Sequence, residues 1–209
     1  MRGRATLLFC GFLLTMTGLV AAEPEPEPGA PVQIRPGLAW VDTLHRGKPV
    51  RIERNPDIGN TLPETYTRTS RPCPPYCVQP IRIAPGVETI GELELLEYLR
   101  RIGQRDDSVM VIDSREPHWL QRGMIPGAVN LPWTLFHSTT TKRPQLAELL
   151  ELQFTVIPVD GLWDFSAAKT LVFYCNGAWC GQSPSSIRAL LALGYPADRI
   201  KWYRGGMQD

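Results

Sequence analysis

A surplus of charge of either sign is missing from this sequence: 22 Lys and Arg stand against 21 Asp and Glu, a formal net charge of +1. Nucleic-acid binding begins with a cationic face, so the balance gives no electrostatic case for such a partner. The 3 histidines, His45, His118 and His137, are too scattered to be assigned as ligands or bases and are read as surface residues. There is no C-x-x-C-H run for haem and no glycine-rich phosphate loop of the usual spacing, so no cofactor is expected. Cysteine is sparse, 5 in 209 residues, and the positions matter more than the count.

The first of the five lies in a leader. Residues 1–22 carry Arg2 and Arg4, an apolar run from Ala5 through Val20, and small residues at Ala21 and Ala22. This is read as a cleaved secretory signal rather than an anchor, because the apolar core is short for a membrane span. The mature protein is then expected to be periplasmic or secreted, with no span left after cleavage. Cys10 leaves with the peptide, and Cys73, Cys77, Cys175 and Cys180 remain, an even number suited to an oxidising compartment. Residues 23–31, EPEPEPGAP, alternate acid and proline and read as an extended spacer.

Residues 32–85 read as a small N-terminal β and extended segment. GLAWV and PVRIE are strand-like, with His45-Arg46-Gly47-Lys48 as the turn between them, and a Pro, Thr and Arg rich stretch runs on to Cys73-Pro-Pro-Tyr-Cys77. With few aliphatic residues the segment builds little core of its own and is expected to pack on the domain C-terminal to it. A local Cys73–Cys77 disulfide would brace it; a redox or partner role for the pair is the alternative.

From Val87 the pattern becomes that of a compact α/β domain, taken as residues 87–209. Thr89 and Glu92 have capping-box spacing, and Ile90, Leu93, Leu96 and Leu99 recur at helical spacing up to Gly103. Residues 109–112 read as a buried strand leading into the polar turn Asp113-Ser114-Arg115-Glu116-Pro117, followed by a helix through Trp119. Residues 125–131 form a turn into another short strand, and 145–152 a further helix. Asp113 and Arg115 are read either as a local ion pair holding the turn or, for Arg115, as a group facing the site.

Chemistry is most visible in residues 171–195, LVFYCNGAWCGQSPSSIRALLALGY. Residues 171–174 suit a buried strand of a parallel sheet, so Cys175 falls at the strand's carboxyl end, where open α/β sheets bind ligands. Ser183 is a good N-cap, Pro184 a good first helical residue and Gly194 a good residue just past the end, which predicts a helix over 184–193. The loop of Asn176, Gly177, Ala178, Trp179, Cys180, Gly181 and Gln182 is thus pinned against a helix N-terminus, which favours an anion such as a thiolate or persulfide. Trp179 is read as a core anchor of the loop or as a wall of the pocket. For Cys180 a resolving thiol and a small packing residue are both open.

VIDSREPHWLQRGMIPGAVNLP and FYCNGAWCGQSPSSIRALLALGY, with the later WYRGGMQD, resemble the rhodanese-like sulfurtransferase domain in order and rough spacing, over about residues 87–209. The loop is similar to that of exported members reading close to CNGxWCGQSP. The resemblance implies an α/β fold with a parallel five-stranded sheet flanked by helices, and Cys175 as the sulfur-carrying nucleophile. It further implies that Cys175 takes sulfur from thiosulfate, a polysulfide or a persulfide, holds it as a persulfide against loop N–H groups, and passes it to a thiol or other nucleophile. A periplasmic protein is a further candidate partner.

The sequence departs from the family's pattern in four places. With Ser183 as the cap the loop is two residues longer, no Arg or Lys lies between Asn176 and Gln182, Met124 replaces a histidine before IPGA, and a last helix after Gly205-Gly206 is not seen before Asp209. A cysteine-type phosphatase would need the C-x5-R arginine, and that position is Gly181. A zinc site is disfavoured by the C-x3-C and C-x4-C spacings. A thiol-disulfide oxidoreductase using Cys175 and Cys180, or a non-catalytic rhodanese-like binding module, are the remaining alternatives to a sulfurtransferase.

Overall fold

The computed structural model describes residues 30–137 and 143–208. The leader at 1–22 and nearly all of the 23–31 spacer lie outside the described residues, and among those that are described no helix is long and apolar enough to cross a membrane.

A parallel sheet of five strands forms the centre. Its strands are β3 (Glu88–Ile90), β4 (Val109–Asp113), β5 (Val129–Asn130), β8 (Thr170–Tyr174) and β9 (Ile200–Tyr203), in the order β3-β9-β8-β4-β5. Every neighbouring pair is parallel, with Val111 opposite Val172 and Phe173 opposite Trp202. The middle strand β8 explains its own sequence. Leu171 and Phe173 enter one hydrophobic core and Val172 and Tyr174 the other, so each face of the strand is covered and the run has no polar alternation.

Helices α3 (Arg143–Phe154) and α4 (Gln182–Ala192) close the first core with Leu150, Phe154, Ile187 and Leu190. Helix α2 (Glu92–Gly103) closes the second with Leu95 and Leu99. The expected stripe shifts accordingly: Leu93 is exposed and Leu95 is buried in its place. The expected start shifts too. Thr89 lies in β3, and α2 is capped at Gly91, whose N–H donates to the Glu94 carboxylate at 3.0 Å, because residues 88–90 extend the sheet edge rather than open the helix. The segment through Trp119 is a 3-10 helix, Pro117–Arg122, rather than an α-helix.

The N-terminal segment forms an antiparallel hairpin of β1 (Trp40–His45) and β2 (Lys48–Glu53), then a single helical turn α1 (Glu64–Thr67). The hairpin is held on α2, where the buried Thr43 hydroxyl donates to the Leu99 carbonyl at 2.7 Å. A second, short antiparallel pair, β6 (Ile157–Val159) with β7 (Leu162–Asp164), lies apart from the main sheet. His118 is exposed as expected, whereas His45 and His137 are half-buried, His45 Nδ1 accepting from Gly127 N–H at 3.1 Å.

Candidate functional site

Cys175 directly follows β8, the middle strand of the sheet, and is buried at 2% exposure. Helix α4 begins at Gln182 behind an N-cap at Gly181, two residues before the expected first turn. The loop is therefore shorter than a Ser183 cap implied. Ser183 is freed from capping by this shift and sits inside the first turn. Its hydroxyl donates to Cys175 Sγ at 3.1 Å and accepts from Trp202 Nε1–H at 3.1 Å. The indole orients the hydroxyl, and the hydroxyl points a donor at sulfur, beside the positive end of the α4 dipole. At the other end the cap is as expected: Gly194 has φ +91, a conformation only glycine adopts without strain.

Cys180 lies at the far side of the loop, 4% exposed, and its Sγ stands at disulfide distance from that of Cys175, across a Cα separation of 6.3 Å. That span lies within the ordinary disulfide range of about 4.4–6.8 Å. Cys180 Sγ is also 3.7 Å from Gln182 Oε1. Met207 N–H donates to the Cys175 carbonyl at 3.1 Å, and Gly206 approaches so closely that a Cβ there would meet Gly177 N at 2.7 Å. The WYRGGMQD ending is thus a brace for the loop.

Trp179 lines two clefts and is held by three neighbours. Its Nε1–H donates to Gln208 Oε1 at 2.6 Å, Tyr76 meets it edge-on at 5.6 Å, and the Arg71 guanidinium lies over its ring at 3.6 Å. Gln79 N–H donates to the Ala178 carbonyl at 2.8 Å, and Arg204 donates to the Gln79 carbonyl at 3.0 Å. Residues 71–79, outside the loop and far from it in sequence, therefore form part of the site. Two clefts open on either side of Trp179. One, of about 380 Å³, is walled by Tyr76, Trp119 and Trp133 and reaches Cys180, Gly181 and Gln182. The other, of about 260 Å³, reaches Asn176.

Asp113 and Arg115 are brought together, and Arg115 also lines the smaller cleft. At 0% and 1% exposure they form a bidentate pair, Nε to Oδ1 at 2.9 Å and Nη2 to Oδ2 at 2.6 Å, and Arg115 also donates to the Gly123 carbonyl at 2.8 Å. Tyr174 OH donates to Asp113 Oδ2 at 3.1 Å and accepts from Ile125 N–H at 3.2 Å. Burial raises the Tyr174 pKa well above its ordinary value, with the Asp113 charge adding to it, so the phenol stays a donor. Arg115 forms the floor of the smaller cleft with its charge already neutralised.

Cys73 and Cys77 stand at disulfide distance, with Cα atoms 4.6 Å apart, in the stretch that carries Arg71 and Tyr76 to Trp179. Among the described residues each cysteine thus stands at disulfide distance from a partner within its own loop. A ring this short contributes about 2 kcal/mol by loop closure. Replacing both cysteines by alanine is expected to lower stability by up to that amount and to raise the fluorescence sensitivity of Trp179 to quenchers. Alkylation of protein purified without reductant checks the pairing, and free thiols at both positions would exclude it.

A cysteine held at the carboxyl end of the middle strand of a five-stranded parallel sheet, against a helix N-terminus, places the site in an α/β domain. The chain belongs to the rhodanese-like domain family, which matches residues 95–209. Its sequence is similar to an HTH-type transcriptional regulator of Mycobacterium tuberculosis, 29% identical over 104 residues, covering 50% of this chain and 35% of that protein. The chain thus spans about a third of that relative's length. Among solved structures it is similar to a human single-domain sulfurtransferase, 20% identical, covering 57% of this chain and 91% of that one at a TM-score of 0.35. It is similar also to a single-domain sulfurtransferase of Saccharomyces cerevisiae, 15% identical, covering 58% and 85% at a TM-score of 0.37.

Sequence reasoning located Cys175, Cys180 and the loop but missed Trp202, Gln208, Arg71, Tyr76 and Gln79. Trp202 and Gln208 lie in the WYRGGMQD motif, which was a signal; for residues 71–79 only the pair of cysteines was one.

Proposed function

We propose that the protein carries sulfane sulfur as a persulfide on Cys175 and passes it to a thiol. The observation that carries this reading is the hydrogen bond from the Ser183 hydroxyl to Cys175 Sγ, at 3.1 Å, at the carboxyl end of β8. In the reduced protein the Cys175 thiolate attacks the sulfane sulfur of thiosulfate. The S–S bond of the donor breaks, sulfite leaves with the bonding pair, and Cys175–S–S⁻ remains. A thiolate acceptor then attacks the outer sulfur, taking it as a persulfide and returning Cys175 as thiolate. Polysulfides and low-molecular-weight persulfides are equivalent donors, and the acceptor is a small thiol or a periplasmic protein. A periplasmic or secreted location is proposed from the leader-like residues 1–22 and the paired cysteines.

A second reading is favoured by the Cys175–Cys180 pairing. Cys180 as thiolate would attack the inner sulfur of the persulfide, release hydrosulfide and close the disulfide, which an external dithiol must reopen. Without sulfur, the same pair exchanging with a substrate dithiol is a thiol-disulfide oxidoreductase.

Reduced protein incubated with thiosulfate is expected to gain one sulfur on the peptide containing Cys175, read by mass spectrometry. No added sulfur from thiosulfate, polysulfide or persulfide would reject the transfer reading and leave the oxidoreductase. In Cys180→Ala the resolving step predicts a persulfide that outlives the wild-type one by roughly tenfold or more and no intraloop disulfide. An unchanged rate of sulfide release in a single turnover would make Cys180 a packing residue.

A further inference from the structure

The loop around Cys175 contains no Arg or Lys between Asn176 and Gln182, yet the smaller cleft beside it is strongly cationic. Arg68, Arg71 and Arg122 line it together with Trp119 and Trp179, and its volume is about 260 Å³. Among the described residues no carboxylate lines this cleft, and none of these three arginines makes an ion pair. Two of them donate to neutral groups: Arg68 Nε to the Ser70 carbonyl at 3.2 Å and Arg71 Nη2 to the Arg68 carbonyl at 3.2 Å. Arg122 lies over the Trp119 ring at 5.0 Å, as Arg71 lies over Trp179.

Arg71 is half-buried, but its Nε atom is fully covered and finds no hydrogen-bond partner among the described residues. A buried guanidinium N–H left unmade is costly, and natural sites rarely leave one without a ligand or water. Desolvation lowers the Arg71 pKa and the neighbouring charge of Arg68 lowers it further. An anion in the cleft relieves both effects and supplies the missing acceptor.

We propose that this cleft is the binding site for an oxyanion-bearing sulfur donor, with Arg71, Arg122 and Arg68 holding its anionic group and the two tryptophans walling its body. The site borders the Cys175 loop, because Asn176, the next residue, and Trp179 line both this cleft and the larger one that reaches Cys180. Arg68 and Arg71 come from residues before the rhodanese-like match at 95–209. The appendage thus supplies the cationic groups that the loop lacks. Arg115 lines the cleft as well, but its charge is offset by Asp113. The donor role rests on the sulfur-transfer reading of Cys175, whereas anion binding stands without it.

The test uses the full-length mature protein at low ionic strength, with binding read by calorimetry and by tryptophan fluorescence. Sulfate probes an inorganic source and benzenesulfonate an organic one. Either binding with an affinity that falls about tenfold or more in Arg71→Gln supports the site, and the tighter of the two identifies the source. Arg71→Lys is expected to recover part of the loss, and thermal melts check that both variants fold. Arg51→Gln, on the remote β2 strand, serves as a charge control. Absence of binding by both anions, or an equal loss in Arg51→Gln, would overturn the proposal.

With reduced protein, Arg71→Gln is expected to raise KM for thiosulfate about tenfold and to leave reaction with neutral dimethyl trisulfide, in which Cys175 gains an S–S–CH3 group as methanethiolate leaves, within twofold of wild type. Equal loss with both donors would overturn the donor role. If no donor loads sulfur while sulfate or benzenesulfonate still binds through Arg71, the transfer reading fails and the anion site stands. If thiosulfate loads normally and no anion binds, the anion site fails alone.

Discussion

Protein in which Cys175 is replaced by serine is expected to take up no measurable sulfur from any donor, although its fold is unchanged. The replacement is nearly isosteric and position 175 is 2% exposed between β8 and α4, so the loop keeps the shape it has in reduced wild-type protein, where no Cys175–Cys180 bond is held either. What changes is the nucleophile. A thiolate is available near neutral pH and attacks sulfur readily, while a serine hydroxyl does neither. Removing a covalent nucleophile outright costs on the order of 10⁶-fold in enzymes where it has been measured. Loss on that scale puts loading below detection. Ser183→Ala is the informative companion: it removes the donor at 3.1 Å from Sγ and leaves Trp202 Nε1–H without its acceptor. A slowing of roughly tenfold is expected there, the worth of one hydrogen bond to a charged group. Retention of loading by Cys175→Ser, with the added sulfur mapped to Cys180, would move the sulfur-carrying role across the loop.

How much of this was legible in the sequence depends on how local each feature is. The strand, cysteine, loop and helix of residues 171–195 are contiguous, and a buried strand with no polar alternation announces a sheet covered on both faces. The helix start was misplaced because Ser183 and Pro184 make a plausible cap; Gly181 took that position, and the hydroxyl found a partner that outranks capping, the sulfur of Cys175. A residue with a good local use and a better long-range one is where local rules fail. The same holds at Thr89, where sheet pairing with Trp202 displaced a capping box. The appendage was the least legible part. Its contacts with the site, such as Gln79 N–H to the Ala178 carbonyl, join residues about a hundred positions apart, and no periodic pattern marks such pairs.

The buried pair of Asp113 and Arg115 gives the largest expected effect on stability. Asp113 accepts from Arg115 N–H at 3.0 Å, from the Arg115 side chain and from Tyr174 OH, while Asn130 Nδ2 ties down the Asp113 and Arg115 carbonyls at 3.0 and 2.7 Å. Breaking such a pair by removing one member leaves a buried charge without compensation and costs about 3–5 kcal/mol. Arg115→Met and Asp113→Leu are each expected to lose that amount, a fall in Tm of roughly 6–20 °C for a domain of this size. The double variant separates charge burial from packing. With neither charge left, the dominant penalty disappears, and stability is expected to recover to within about 2 kcal/mol of wild type, less the hydrogen bonds of Tyr174 and Gly123. Denaturant unfolding of the four proteins, analysed as a double-mutant cycle, measures the coupling. If the single losses simply add in the double variant, the two residues do not act as a pair, and the turn after β4 is held by its backbone hydrogen bonds instead.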